Sequence, residues 1–495
     1  MSLYFEAARF LEDKSKSGSL QSRIFNYNKD PKNKKSQLKS NPKQIFALVY
    51  STLKYKKILV EVIKSSKILK EEKTLTLSLA LLLSHDLLCT KSGRINCGKV
   101  ALKDNFLKHK TRLKAELTRF KLKHKVRDIQ ELIEEDETPV RWFRVNTILS
   151  NVEEVLKSLS TLEKVDTIEE IKPGKLYHDI HVPFLFGIHP SERITSSFIY
   201  KTGKIIIQDR ASCFPATILC PKPGDKVIDT CSAPGNKTTH AASFLKNMPN
   251  SIYAFERDPE RAKILEKMVK KAGADRSIMI NTRDFLATDP LDKKYEKITG
   301  FIVDPSCSGS GIFGRAHEDD HNENDNENEH ENEKETDQKD IYRLHKLSEF
   351  QYKIVKHALS YPAARKLVYS TCSIHAIENE KVVIKLLQDP EVQKQGWSVA
   401  PKDTVLPKWE RRGWPEVFQE AGYDEVMAKK LADGCVRTLP KIDGGIGFFA
   451  VCFERTLNGS KFEDSKEELV KDQKEAHNDS EDSEVEDDEW TGFTD

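Results

Sequence analysis

The stretch Val227-Ile228-Asp229-Thr230-Cys231-Ser232-Ala233-Pro234-Gly235-Asn236-Lys237-Thr238 joins a short apolar strand to the start of a helix through a turn of small residues. Such a turn exposes backbone N–H groups and the positive end of a helix dipole to a ligand. Its spacing matches neither the Gly-x4-Gly-Lys pattern of a P-loop nor the Gly-x-Gly-x-x-Gly pattern of a dinucleotide site. The stretch predicts an α/β fold with a ligand at the carboxyl end of this strand.

Strands and helices alternate along the chain from Pro223 onward, beginning with the strand and helix of this stretch. We predict strands at Lys226 to Thr230, Ser251 to Phe255, Ser277 to Thr282, Ile298 to Val303, Lys366 to Ser370 and Gly447 to Phe453. We predict helices at Lys237 to Leu245, Pro259 to Ala272, Lys346 to Ser360 and Ile377 to Leu387. This alternation is typical of a doubly wound, Rossmann-like α/β sheet, here over residues 211–457.

Two acidic residues follow the next two strands. Glu256 lies about 21 residues after Gly235, the distance at which dinucleotide-type folds place an acid on ribose hydroxyls. Asp284 follows the third strand and could accept a hydrogen bond from an adenine amino group. These positions favour an adenosine-containing ligand. The alternative is that both acids simply cap the helices that follow them.

Two cysteines stand just after predicted strands: Cys307 in the segment Asp304-Pro305-Ser306-Cys307, and Cys372 in Ser370-Thr371-Cys372. Each alone could be a small buried hydrophobic residue. As a pair at the edge where such sheets hold their active sites, they indicate covalent attack on a pyrimidine ring. A thiolate that adds to carbon 6 of cytosine makes carbon 5 nucleophilic. This favours a methyl donor of the S-adenosylmethionine type over hydride transfer.

Asp304 ends one of these strands and is the third predicted catalytic residue. A carboxyl group there could donate to the base edge if protonated, or accept from the exocyclic amine if ionised, because carboxyl groups in such crevices are tuned to either role.

Charge is distributed unevenly along the chain, although the net charge is only +2. Residues 1–130 carry 30 Lys and Arg against 11 Asp and Glu. Helical patterns predict an all-α domain over residues 1–137, and its charge suits an RNA-binding surface. A lysine-rich helical domain with no ligand is the alternative. Residues 138–210, with strand-like segments that include Ile180 to Phe184, predict a small α+β RNA-binding segment.

Two acidic segments are predicted to be disordered, because they contain too few apolar residues to bury. They are an insertion at residues 317–340 and a tail at residues 458–495. The nine cysteines form no CxxC pair, so the sequence predicts neither a disulfide framework nor a metal site. The most apolar stretch, Leu75 to Leu88, is shorter than the roughly 20 residues that span a bilayer, so no membrane segment is predicted.

The motifs together resemble the Sun-type (Fmu/nucleolar) family of RNA cytosine-5 methyltransferases. The matching stretches occur in the family's order: RWFRVNT (141–147), QDRAS (208–212), CSAPGNKT (231–238), FERD (255–258), TRDF (282–285), DPSCSGSG (304–311), YSTCS (369–373), ENE (378–380) and GFFAVCFER (447–455). The amino-terminal pattern also resembles the subgroup that methylates large-subunit rRNA. Ser306, Asn236 and Glu256 depart from the family's usual proline, glycine and aspartate, and none of these changes removes a required functional group.

The resemblance implies a role for each site residue. Cys372 is implied to be the covalent nucleophile, and Cys307 to assist release of the adduct. The implied contacts to S-adenosyl-L-methionine are Cys231, Ser232, Ala233, Pro234, Gly235, Asn236, Lys237, Glu256, Arg261, Asp284 and Asp304. Lys237 could also reach the target base.

The expected partner is large-subunit rRNA or a pre-ribosomal particle, with no membrane and no metal, for a monomer in the nucleus and nucleolus. A tRNA or DNA methyltransferase, or a non-catalytic ribosome assembly factor, is the alternative function.

Overall fold

The computed structural model describes residues 1–13, 20–29, 33, 36–98, 100–132, 138–312 and 329–455. The chain divides into two compact units, one of residues 1–137 and 313–337 and the other of residues 138–312 and 338–495. The division after residue 137 coincides with the predicted end of the basic domain.

The amino-terminal unit is helical throughout residues 1–132, as far as these are described. Its helices are α1 (Ser2–Glu12), α2 (Leu20–Asn26), α3 (Pro42–Lys54), α4 (Lys56–Ser66), α5 (Ile68–Glu71), α6 (Leu77–Leu88), α7 (Ala101–Lys108) and α8 (Lys110–Lys123). The prediction of an all-α domain is confirmed. Helix α6 forms the centre of this unit, because seven of its residues from Leu79 to His85 are buried in succession. Helix α8 buries only Leu113, Leu117 and Phe120, and it exposes most of its basic side chains, which are Lys110, Arg112, Lys114, Arg119 and Lys123.

The second unit contains thirteen strands among its described residues. They are β1 (Arg141–Val145), β2 (Glu163–Val165), β3 (Lys175–His178), β4 (Leu185–Ile188), β5 (Ile205–Ile207), β6 (Val227–Asp229), β7 (Ile252–Phe255), β8 (Ile278–Asn281), β9 (Gly300–Val303), β10 (Lys366–Thr371), β11 (Ser398–Val399), β12 (Cys435–Thr438) and β13 (Phe448–Glu454). Its helices are α9 (Val152–Ser158), α10 (Phe198–Lys201), α11 (Arg210–Leu219), α12 (Asn236–Phe244), α13 (Pro259–Lys271), α14 (Glu329–Leu359), α15 (Glu380–Leu387), α16 (Pro390–Lys394), α17 (Pro415–Glu420) and α18 (Glu425–Asp433).

The larger sheet has the strand order β11-β13-β10-β9-β6-β7-β8, with β12 paired to β13. Strands β10, β9, β6, β7 and β8 are parallel, and β13 is antiparallel. Alternate strand residues face two different hydrophobic cores, one packed against α11 to α13 and the other against α14 and α15. The doubly wound Rossmann-like fold is therefore confirmed. Because the chain order reverses between β6 and β9, the crevice above these two strands is the expected ligand site.

The smaller sheet has the order β2-β3-β4-β1-β5 and belongs to the predicted α+β segment. One face packs against a small core of its own, which includes Phe143 and Phe186. The other face contributes Trp142 and Ile206 to a core of the larger sheet. The segment 138–210 is therefore packed into the same unit as the Rossmann-like sheet.

The predicted strand from Ile180 to Phe184 is wrong. The chain turns here between β3 and β4, because the Asp179 carboxylate accepts hydrogen bonds from the backbone N–H groups of His181 and Val182. Pro183 then lacks a donor for a strand ladder, and Phe184 has a φ of 59°. The turn leaves Leu185 to Ile188 as the buried strand.

Helix α14 begins at Glu329, so the described part of the predicted acidic insertion has a helical backbone, and disorder of the insertion stays a prediction. The sequence of residues 329–340 is rich in Glu, Lys and Gln, residue types that favour helices. The first half of the insertion, residues 317–328, and the acidic tail lie outside the described residues. Within the described ranges, no helix is long and apolar enough to cross a membrane.

Candidate active site

The turn after β6 carries seven of the predicted cofactor residues and is fixed by local hydrogen bonds. The N–H of Ser232 donates to Phe255 O at 2.8 Å, and its hydroxyl donates to Asp229 O at 3.0 Å. The Ala233–Pro234 peptide is cis, and Gly235 has a φ of 110° that favours glycine. Gly235 caps helix α12, whose first residues are Asn236 and Lys237. The turn therefore presents the start of α12 at the carboxyl edge of the sheet.

Asp229 and Cys231 supply internal support to this turn. Asp229 accepts hydrogen bonds from the Thr238 hydroxyl at 2.7 Å and from the Cys231 N–H at 3.3 Å. Burial raises the pKa of Asp229 to about 6. Burial, followed by the nearby Asp229 carboxylate, raises the pKa of Cys231 to about 12. The Cys231 thiol is thus a neutral packing group and not a nucleophile.

Glu256 follows β7 directly and faces the same turn. Its Oε1 accepts from the Asp258 N–H at 2.9 Å, and its Oε2 lies 3.4 Å from Arg261 Nη1. Arg261 Nη2 donates to Ala233 O at 2.8 Å, so Arg261 ties the acid to the turn. Glu256 is only 5% exposed, yet Oε2 lacks a hydrogen-bond partner in the described part of the chain. This buried oxygen has an acceptor position left for a ligand.

Asp284 follows β8 and has two roles in the structure. Its Oδ1 accepts from the Leu286 N–H at 2.9 Å, which is the capping role that the sequence left open. Its Oδ2 lies 3.7 Å from Arg257 Nη1, and the side chain is 39% exposed. Asp284 can therefore cap the turn that follows it with Oδ1 and still contact a ligand with Oδ2.

Asp304 follows β9 and forms an ion pair with Lys237 across the crevice. Lys237 Nζ lies 2.7 Å from Asp304 Oδ2, and the Ser370 hydroxyl donates to Asp304 Oδ1 at 2.6 Å. Burial alone would lower the pKa of Lys237, but Asp304, Cys372 and Asp229 together raise it. Lys237 is therefore a cation, and both carboxyl oxygens of Asp304 are engaged, one by Lys237 and the other by Ser370.

The two cysteines meet at the same place. Cys307 Sγ and Cys372 Sγ are 3.0 Å apart, and neither cysteine is in a disulfide. The pKa of Cys307 is raised well above its ordinary value by the hydrogen bond to Cys372, by burial and by nearby negative charge. Either sulfur could be the donor in this contact. The structure therefore brings both predicted thiols to one place, and their roles rest on the family resemblance.

Several side chains that shape the site escaped the sequence prediction. Arg144 on β1 is buried and donates to Thr239 on α12 at 2.9 Å and to Gln208 at 2.8 Å, so it ties the smaller sheet to the turn. Glu378 and Gln351 bind the loop that carries Cys307. Arg144, Gln208 and Glu378 lie in the stretches RWFRVNT, QDRAS and ENE, which were identified by the family resemblance alone. The spacing of residues along the sequence predicted no role for these stretches. Among the described residues, no group of three or more His, Cys, Asp and Glu could hold a metal ion.

Comparisons with known proteins match both units. Residues 43–133 match the family model of the NOL1/NOP2/Sun domain family member 5 N-terminal domain, and residues 216–450 match that of the 16S rRNA methyltransferase RsmB/F. The 25S rRNA (cytosine-C(5))-methyltransferase rcm1 of Schizosaccharomyces pombe is 42% identical over 91% of this chain and 90% of its own length. The 28S rRNA (cytosine-C(5))-methyltransferase of Mus musculus is 33% identical over 92% and 91%.

A solved structure supports the fold alone. The crystal structure of PH0851 has a TM-score of 0.53 and 22% identity, and the match covers 92% of this chain and 99% of that one.

Proposed function

The chain belongs to the NOL1/NOP2/Sun family of RNA cytosine-C5 methyltransferases, and from this premise we propose how its residues form 5-methylcytosine in large-subunit rRNA. Relatives named for that activity match over nine-tenths of their length. The observation that carries the mechanism is the 3.0 Å approach of the Cys307 and Cys372 sulfurs beside the pair of Lys237 and Asp304.

Cys372 is the nucleophile. The resemblance assigns attack to the cysteine that follows Thr371, which is Cys372, and its sulfur lies 3.0 Å from that of Cys307. Its thiolate adds to carbon 6 of an unstacked cytosine, and a new S–C6 bond replaces the C5–C6 double bond. The base must leave the stack, since carbon 6 cannot be reached within it.

Lys237 and Asp304 hold the base during this addition. The Lys237 ammonium group offsets the negative charge that develops on the pyrimidine ring as the thiolate adds. Asp304, held by Lys237 and Ser370, accepts a hydrogen bond from the exocyclic amine. Ser370 keeps the carboxylate oriented through its 2.6 Å hydrogen bond.

Cys307 completes the reaction. Its high pKa rests first on the hydrogen bond to Cys372, and this support ends once the Cys372 sulfur is bonded to carbon. Cys307 then loses its proton to water and takes the proton from carbon 5. The electron pair of that C–H bond re-forms the C5–C6 double bond, and Cys372 leaves as a thiolate.

S-adenosylmethionine fits the remaining groups and, when bound, would supply an electrophilic methyl group to carbon 5. The buried Oε2 of Glu256, which accepts no hydrogen bond from the described residues and lies 3.4 Å from Arg261 Nη1, suits a ribose hydroxyl. Asp284 suits the adenine amino group, and the turn from Cys231 to Lys237 offers N–H groups at the start of α12. Arg261 acts through Glu256 and Ala233, to both of which it is bound.

The test uses the full chain with large-subunit rRNA and radiolabelled S-adenosylmethionine, followed by denaturing gels. Cys307→Ala should accumulate a covalent protein–RNA species, and Cys372→Ala should form none and transfer no methyl groups. Cys220→Ala, which removes a thiol at the end of α11, is the matched control. Full methyl transfer by Cys372→Ala would overturn the mechanism, and failure of the wild-type chain to methylate would favour a non-catalytic assembly factor.

The partner is large-subunit rRNA or a pre-ribosomal particle, and the protein acts as a monomer in the nucleolus, where such particles are made. The relatives named as large-subunit rRNA methyltransferases support this placement. Fluorescence imaging of the tagged chain and its mass in solution test the location and the monomer.

A further inference from the structure

Two buried side chains, those of Gln351 and Glu378, hydrogen-bond to the chain on both sides of Cys307. Gln351 Nε2 donates to Ser306 O at 3.1 Å, on the amino-terminal side. Glu378 accepts from the Ser308 N–H at 2.9 Å and from the Ser308 hydroxyl at 2.6 Å, on the carboxyl-terminal side. Gln351 Nε2 also donates to Glu378 Oε1 at 2.9 Å, which closes the bridge. The position of Cys307 is therefore set by two side chains from outside its loop.

Burying the polar groups of this bridge costs free energy, and each of these groups makes specific contacts. Glu378 and Gln351 are both 0% exposed. The hydrogen-bond partners of the Glu378 carboxylate in the described chain are neutral donors, and a buried carboxylate is tolerated only when such donors satisfy it. A hydrophobic residue would pack in its place without this penalty. The arrangement thus points to a demand for exact placement of the loop rather than to stability alone.

Cys372 is held by different groups. It follows strand β10, which is paired on both sides with β9 and β13. Asn379 accepts from the Thr371 hydroxyl at 2.6 Å and donates to Ser373 O at 2.9 Å, so it holds both neighbours of Cys372. Two consecutive residues therefore hold the neighbours of different thiols, Glu378 those of Cys307 and Asn379 those of Cys372, although the two loops also contact each other through Ser308 and Ser373.

We propose that Glu378, bridged to Gln351, is the positioning residue for adduct release, because it places the Cys307 sulfur at carbon 5 of the methylated base. The inference rests on the proposed role of Cys307. Glu378 touches neither thiol in this role and acts through the loop. Without the bridge, the loop that carries Cys307 is no longer held in place, whereas Cys372 still follows the paired strand β10. Attack and methyl transfer then continue, and release slows.

The experiment measures single-turnover methyl transfer, adduct on denaturing gels and the rate of adduct decay. Glu378→Ala and Gln351→Ala should slow decay at least tenfold and accumulate adduct, with methyl transfer in the first turnover changed less than threefold. Glu378→Gln keeps an acceptor for Ser308 and Gln351, so it should restore decay to within about threefold of wild type. Asn379→Ala should instead lower the rate of adduct formation.

Asp389→Asn is the matched control. Asp389 is buried and binds Tyr352 and Lys356, which lie on the same helix as Gln351. Its hydrogen bonds and ion pairs within the described residues do not involve the Cys307 loop. Its variant should release product at the wild-type rate. A double variant, Cys307→Ala with Glu378→Ala, should release no more slowly than Cys307→Ala, since both changes affect one step.

The outcomes separate this inference from the function on which it rests. If Cys307→Ala accumulates adduct and Glu378→Ala does not, only the positioning role is wrong. If Glu378→Ala and Gln351→Ala lose attack and release equally, the bridge is merely structural and the inference is overturned. If Cys307→Ala itself forms no adduct, the proposed mechanism has failed.

Discussion

Individual residues define the chemistry of the site, and here the sequence was informative. It placed Cys307, Cys372 and Asp304 at strand ends, and the structure brings them together because β9 and β10 are parallel neighbours. The residues it left without a role are the buried supports such as Glu378 and Gln351. In the sequence, a buried glutamate cannot be told from an exposed glutamate on a helix, because only tertiary packing distinguishes them.

Asp229 gives a prediction about pH and stability. Burial raises its pKa from 3.8 to about 6, so the folded chain binds this proton more tightly than the unfolded chain. Its contribution to stability is complete below about pH 4 and is lost as the pH rises through about 6. Asp229→Asn, which can still accept from the Cys231 N–H, should therefore increase the free energy of unfolding at pH 8 by about 1–3 kcal/mol.

Urea unfolding of the full chain at pH 4 and at pH 8 measures this effect. The increase in the free energy of unfolding caused by Asp229→Asn should shrink toward pH 4, where the Asp229 carboxyl group of the wild type is already protonated. Asp209 is also buried with a pKa raised to about 6, so part of the pH dependence should persist in the variant. A gain of equal size at both pH values would show that the ionisation of Asp229 is not its cause.

At the scale of elements, alternation of strands and helices predicted the Rossmann-like sheet well, because its parallel strands are buried apolar runs. The start of α14 was missed by 17 residues, at Glu329 instead of Lys346. The intervening acidic residues have helix-forming side chains but no apolar stripe, so periodicity could not detect them. The helix at Ile377 to Leu387 was predicted and is α15, but the elements between α15 and β13 were missed because each is short.

Gly311 gives a prediction about how the loops after β9 and β10 fit together. Its N–H donates to Cys372 O at 3.0 Å, and its carbonyl accepts from the Gly447 N–H at 2.8 Å. A Cβ added at this position would lie 2.1 Å from Gly447 O, which is backbone and cannot move aside locally. Gly311→Ala should cost about 1–3 kcal/mol of stability and slow adduct formation by Cys372.

Thermal unfolding and the denaturing-gel assay check this prediction. Gly396→Ala is a control for the loss of a glycine, because no atom lies within 4 Å of a Cβ there, although its φ of 77° adds some strain. Normal adduct formation by Gly311→Ala would contradict the proposed contact between the loops.

On the scale of the whole molecule, composition identified the basic helical unit and the acidic segments, but not what the helices bind. Helix α8 exposes Lys110 and Lys114, while its apolar stripe is buried. We expect this surface to contact phosphates of rRNA. Replacing both lysines with glutamine should reduce the slope of log affinity against log salt by about 1.4, or about 0.7 for each contact with single-stranded RNA.

Binding isotherms of the full chain at several salt concentrations measure that slope. A control variant with Lys394→Gln and Lys402→Gln makes the same change in net charge on other exposed lysines. Equal slopes for the wild type and the α8 variant would support the alternative of a lysine-rich helical domain that binds no RNA.

The central claim is that Cys372 attacks and Cys307 releases. The most direct measurement is mass spectrometry of the Cys307→Ala chain after incubation with rRNA and S-adenosylmethionine, nuclease treatment and proteolysis. The account predicts a methylated cytidine nucleotide attached to the peptide that contains Cys372. A nucleotide on any other peptide, or an adduct that persists in Cys372→Ala, would contradict it.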